Sequence, residues 1–185
     1  MRIALMAPYL AVFYPFLALR RASLALRPDR AWRSWVTPNV LVGGFLAPRD
    51  VVALARDGVG AVVNVSHELL DPREALAAAG ISYLRVPCWD TRPPELEDAV
   101  RGVRRIAEHV AAGQKVYIHC ASGVGRSVTL SLCYLAAHEG MSVEEATATV
   151  RKARPWIAMS PAQRAFVETY VGWHRSNAAS ATPDR

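Results

Sequence analysis

Apolar positions along the chain follow two rhythms. Short apolar runs stand at 40–42, 61–65, 81–86 and 116–118, each bounded by glycine, proline or polar residues. Runs of this length, rich in Val and Ile, predict strands buried on both faces. Between them apolar residues recur at helical spacing. From Glu95 to Ala112, the side chains of Leu96, Ala99, Val100, Val103, Ile106, Ala107 and Val110 share one face, and Gly113 ends the run. Shorter helices are expected from Pro48 to Arg56 and from Asp71-Pro72 to Gly80, with three more at 126–138, 142–153 and 161–175. Ser142 with Glu145 forms a capping box, and Ser160 with Pro161 opens the last helix. Strands alternating with helices predict an α/β fold with a mostly parallel central sheet flanked by helices.

The ends depart from this alternation. From Ile3 to Leu19 seventeen residues carry no charge. As a helix this run would measure roughly 25 Å, the short end of a bilayer span. Pro8 and Pro15 would bend it, and Tyr9, Phe13, Tyr14 and Phe16 suit a membrane interface. A membrane anchor, spanning or lying in the interface, leads the readings. A helix packed on the domain, an irregular arm, a cleaved signal peptide and a mis-assigned start are the others. Leu19-Arg20-Arg21 offers no small-residue cleavage site. Residues 22–38 are basic, contain Pro28 and Pro38, and read as a linker, while the chain from Ser176 reads as a frayed tail. The expected organisation is a segment 1–33, a domain 34–175 and a tail 176–185.

Composition narrows the class. With 52% apolar and 21% charged residues, a disordered chain, a coiled coil and a collagen-like repeat are excluded. Three cysteines in 185 residues exclude a disulfide scaffold. The net charge of +6 is uneven: residues 1–33 hold six arginines and Asp29, whereas residues 34–185 hold 16 bases and 15 acids. No basic stripe crosses the domain, so nucleic acid is not an expected partner. The arginines after the apolar run favour the cytoplasmic side for the domain, with membrane contact through residues 3–21.

The chemistry concentrates in His119-Cys120-Ala121-Ser122-Gly123-Val124-Gly125-Arg126-Ser127. This segment follows a buried strand and opens a helix. Such a turn aims successive N–H groups at one point, an anion site strengthened by the helix dipole. Gly123 and Gly125 let the backbone turn inward. Ala121, Ser122, Gly123, Val124 and Gly125 thus supply the phosphate-binding loop, with Arg126. The same groups stabilise a thiolate at Cys120, a nucleophile for phosphorus. The Arg126 fork can hold two phosphoryl oxygens, and Ser127 can donate a hydrogen bond to the thiolate. His119 orders the loop.

This segment matches the His-Cys-x5-Arg-Ser/Thr signature of the protein tyrosine phosphatase superfamily. Over roughly residues 38–175 the chain resembles its compact dual-specificity branch. The resemblance implies hydrolysis through a cysteinyl-phosphate, without metal or cofactor, and a general acid about thirty residues before the nucleophile. Asp90 stands there, in Val86-Pro87-Cys88-Trp89-Asp90-Thr91-Arg92-Pro93-Pro94. Glu95, Glu97 and Asp98 are the reserves. Phosphoinositide-acting relatives often carry lysines in the loop, and this loop has none, which favours a substrate with one phosphomonoester. Phosphotyrosine, phosphoserine or phosphothreonine in a protein is the first expectation. A membrane phospholipid such as phosphatidylglycerophosphate is the alternative, and an inactive phospho-binding module is the reading from another class. His67 and Glu68 lie where such enzymes shape their substrate pocket, and Trp156 is a candidate for its rim. Pro161-x-Gln163 resembles the end of the same domain. Cys88 is a candidate for a disulfide with Cys120. Cys133 reads as core, and His109, His138 and His174 as structural or exposed.

Overall fold

The computed structural model describes residues 11–12, 14–19, 21–23 and 31–180. Strands β1 (Arg33–Thr37), β2 (Val40–Gly43), β3 (Val59–Asn64), β4 (Ser82–Arg85) and β5 (Lys115–His119) form one sheet in the order β1-β2-β5-β3-β4. Every pairing is parallel except that of β1 with β2. Helices α1 (Asp50–Arg56) and α2 (Arg73–Ala78) cover one face. The other face carries α3 (Leu96–Ala111), α4 (Arg126–His138), α5 (Val143–Ala153) and α6 (Pro161–Ser180).

Alternation along the strands explains the two layers of core. In β5, Val116 and Ile118 join the larger cluster with Val128, Leu132 and Ile106, while Tyr117 joins Leu54, Leu76 and Leu41 on the opposite side. A register shift between Val59 and Ala61 lets Val59 and Val62 face the same side, three positions apart. Helix α4 is buried from Arg126 through Ala136. Surrounded on every side, this helix runs through the inside of the fold and places its N-terminus at the C-terminal ends of the parallel strands, where ligands of α/β sheets bind.

Two expectations are corrected. Residues 33–37 are not linker but a strand, joined to β2 through a turn in which Thr37 Oγ1 accepts from the N–H groups of Asn39 and Val40. The alternation that marks β1 is short, with only Val36 buried in it. The expected tail continues α6 to Ser180, since Ser176 and Asn177 bond back to the carbonyls of Gly172 and Trp173 and alanines follow. Residues 181–185 lie outside the described residues. So do residues 3–10 of the expected anchor. No helix formed by the described residues is long and apolar enough to cross a membrane.

The described N-terminal residues are helical and packed on the domain. Leu17 is buried against Leu69 and Ala121. The Tyr14 hydroxyl accepts from the Leu70 N–H at 2.8 Å. Arg21 makes a two-point bond to Asp50, at 2.7 and 2.5 Å, beneath the rings of Trp32 and Phe45. Asp50 also accepts from the Ala47 N–H. Burial opposes its charge, but Arg21 and that N–H outweigh it and hold the carboxyl below its usual range.

Candidate active site

The turn from β5 into α4 folds around one sulfur atom. The Gly123 N–H donates to Cys120 Sγ at 3.3 Å, and Ser127 Oγ lies 3.4 Å from the same atom. Burial alone would push this thiol up. The Arg126 charge, the Ser127 hydroxyl and the N–H groups of Ser127 and Gly123 outweigh burial and hold it below the ordinary cysteine value. Gly123 sits at φ +69°, and a Cβ there would stand 2.4 Å from the carbonyl carbon of Gly43. Both the conformation and the contact with β2 require glycine at this position.

Arg126 is held from three directions. Its Nη1 and Nη2 each lie 2.8 Å from the two carboxylate oxygens of Glu68. Nη1 also donates to the Cys88 carbonyl at 3.1 Å, and Nη2 lies 3.3 Å from Asp90 Oδ1. The family resemblance puts Glu68 near substrate. In the structure it is buried and orients the arginine fork, and Arg126 borders the cavity. The Asp90 side chain is 78% exposed, so it is free to meet a ligand.

The loop that carries Asp90 is fixed behind it. Thr91 has φ +62°, a left-handed conformation that a β-branched residue rarely adopts. Ser160 Oγ donates to the Thr91 carbonyl at 2.7 Å, and Gln163 Nε2 to the Arg92 carbonyl at 3.0 Å. The Cys88 thiol donates to that same carbonyl at 3.1 Å. Ser160 and Gln163 also cap α6 reciprocally, at 3.1 and 3.0 Å. One capping box therefore starts the helix and secures the Asp90 loop.

Two buried side chains brace the turn from below. His119 Nε2 lies 3.3 Å from Asp71 Oδ1 as an ion pair without hydrogen-bond alignment, and its ring stacks on Tyr117. Burial opposes its charge, but Asp71 and Cys120 shift the imidazole upward. Arg154, 1% exposed, donates to the carbonyls of Gly123 and Val42 and to Ser34 Oγ, at 3.1, 3.0 and 3.1 Å. Among the described residues no carboxylate pairs with it.

A cavity of about 230 Å³ opens above the sulfur. Asp90, Cys120, Ala121, Ser122, Val124, Gly125 and Arg126 all line it, while Gly123 and Ser127 meet the sulfur from behind and His119 stands outside the lining. Thr91, Ala158, Ser160 and Gln163 also border it, and Phe16 and Leu17 from the N-terminal helix form an apolar side. The other candidates stand elsewhere. His67 stacks on Trp89 at 4.0 Å, and Trp156 lies under the Arg154 guanidinium instead of on the rim. Asp98 pairs with Arg101 on α3. All three cysteines are free. Burial pushes the Cys88 thiol up to about 12, so it stays protonated near neutral pH.

The profile of the dual specificity phosphatase catalytic domain matches residues 47–170. The chain belongs to the dual specificity phosphatase family. It is similar to phosphatidylglycerophosphate phosphatase PTPMT2 of Arabidopsis thaliana, 33% identical over 86% of this chain and 71% of that protein. It is 30% identical to phosphatidylglycerophosphatase and protein-tyrosine phosphatase 1 of Homo sapiens, over 94% of this chain and 89% of that one. Among solved structures, the crystal structure of PTPMT1 in complex with PI(5)P has a TM-score of 0.75 at 26% identity, covering 80% of this chain and 99% of that one. The active form of Tk-PTP has a TM-score of 0.70 at 29% identity, covering 76% and 97%. This dual specificity phosphatase is thus a cysteine-based hydrolase of the protein tyrosine phosphatase superfamily.

Proposed function

We propose that this phosphatase removes a single phosphate from a phospholipid headgroup, with phosphatidylglycerophosphate as the representative substrate. The observation that carries the reading is the apolar side of the cavity, Phe16 and Leu17, standing over a phosphate loop without lysine. Phosphatidylglycerophosphate offers the loop one phosphomonoester, and beyond its glycerol and phosphodiester link it carries the acyl chains that an apolar side at the cavity mouth would meet. Relatives named phosphatidylglycerophosphate phosphatases over most of the chain support the choice.

The reaction follows from the arrangement. The Cys120 thiolate attacks phosphorus in line with the ester oxygen. As the P–O bond breaks, Asp90 gives its proton to the departing alcohol. Arg126 and the loop N–H groups hold the equatorial oxygens throughout. Water then attacks the cysteinyl-phosphate, Asp90 takes its proton, and the S–P bond breaks with the pair returning to sulfur. The Ser127 hydroxyl donates to the thiolate as it leaves.

Asp90→Asn is expected to slow turnover by about 10²–10⁴-fold. The acid gives up a proton in the first step, so the variant is expected to lose the alkaline, descending limb of the wild-type pH–rate profile. Vanadate affinity stays near wild type. An unchanged rate and profile would move the acid elsewhere.

The substrate is tested by comparing kcat/KM for phosphatidylglycerophosphate in detergent micelles with that for a phosphotyrosine peptide. The expected preference for the lipid is about tenfold or more, the scale of one well-placed apolar contact. A preference for the peptide would establish a phosphorylated protein as the substrate instead.

A further inference from the structure

The described N-terminal helix has two faces of opposite use. Tyr14, Leu17 and Arg21 recur at i, i+3 and i+7 and make the three attachments to the domain. Val12, Phe16 and Leu19 recur at i, i+4 and i+7 on the other side, 73%, 56% and 71% exposed. A helix fastened at three points, with an apolar stripe left in water, is built to meet a further apolar phase.

The stripe is not isolated. Seven large apolar side chains are exposed among the described residues, and five of them stand on this helix, on the segment bonded to it or beside Asp90. Phe16 is itself a wall of the catalytic cavity. Leu70 is bonded through its N–H to Tyr14. Trp89, 58% exposed, precedes Asp90 and stacks on His67. The remaining two, Val12 and Leu19, flank Phe16. Charge agrees with this placement. Residues 1–33 carry six arginines against one acid, and Arg20 directly follows Leu19.

We propose that this rim is a docking surface for an anionic phospholipid bilayer, with the helix of Val12, Phe16 and Leu19 lying in the interface. For its choice of occupant the proposal rests on the lipid reading of the site. The apolar stripe enters the headgroup boundary, Trp89 takes the interfacial position usual for tryptophan, and those N-terminal arginines that Asp50 does not hold meet anionic headgroups. The cavity then opens onto the membrane. A headgroup phosphate reaches Cys120 while its acyl chains stay in the bilayer.

The test uses the full chain and Val12→Asp/Leu19→Asp, neither residue lining the cavity. Binding is measured by co-sedimentation with vesicles of mixed phosphatidylcholine and phosphatidylglycerol. Turnover is measured on an aryl phosphate in solution and on phosphatidylglycerophosphate in micelles and in vesicles. The double variant is expected to bind vesicles at least about tenfold more weakly and to lose vesicle turnover in proportion, with aryl phosphate turnover unchanged. If aryl phosphate turnover also falls, Leu19→Asp alone is measured, and the same loss of vesicle binding is required. Wild-type protein that ignores the vesicles, or a variant that binds them equally, overturns the docking surface. A variant altered only in its mass in solution would assign the stripe to self-association and overturn it as well. Micellar lipid turnover reports separately, since its absence in the wild type removes the lipid substrate whatever the vesicles do.

Discussion

Cys120→Ser is expected to lower turnover of an aryl phosphate by at least about 10⁵-fold while phosphate and vanadate still bind within a few-fold of wild type. The two halves of this result have different causes. The loop N–H groups and Arg126 remain, so the anion site persists. A serine hydroxyl placed where Gly123 N–H and Ser127 now face sulfur stays protonated near neutral pH, because the surroundings that lower a thiol cannot bring an alcohol into that range. Steady-state kinetics and calorimetric vanadate titration read the two separately. Residual turnover within a hundredfold of wild type would remove Cys120 as the nucleophile.

The second large effect is at Arg126. Arg126→Lys keeps a positive charge but loses the planar fork, and a fall of about 10³-fold in kcat is expected. The acid limb of kcat/KM should move little, since the charge facing sulfur survives. Arg126→Met removes that charge. The Cys120 pKa then rises, so the thiolate forms only at higher pH and the acid limb shifts upward. The methionine variant also leaves the Glu68 carboxylate buried without its cation, which costs about 3–5 kcal/mol in denaturant unfolding. Combining Arg126→Met with Glu68→Gln is expected to recover most of that stability and none of the activity. If Arg126→Met alone unfolds like wild type, Glu68 is not held by this pair.

The parts of this molecule legible in the sequence are those whose cause is local. Strands buried on both faces appear as apolar runs, and a loop that must turn inward and start a helix shows its glycines and its Arg-Ser end. Strand β1 was hidden because it is an edge strand of mostly polar residues, with Val36 alone turned fully inward. Contacts between distant segments left no pattern. Glu68 and Arg126 are 58 positions apart, and Ser160 reaches a carbonyl 69 positions earlier. Ser160 with Pro161 did signal a helix start, but the cap made with Gln163 and its hold on the Asp90 loop appear only in three dimensions. The apolar N-terminus could read as an anchor or as a packed helix because it is apolar on both sides. Leu17 finding Ala121 decides which side faces the domain.

Thr91 has one more consequence. Its left-handed backbone stores roughly 1–3 kcal/mol, supplied when the chain folds. Together with the bonds from Ser160 and Gln163, that conformation holds the neighbouring Asp90 at the cavity before any ester arrives. Selection among esters would then fall to the walls of the cavity, Phe16 and Leu17 among them.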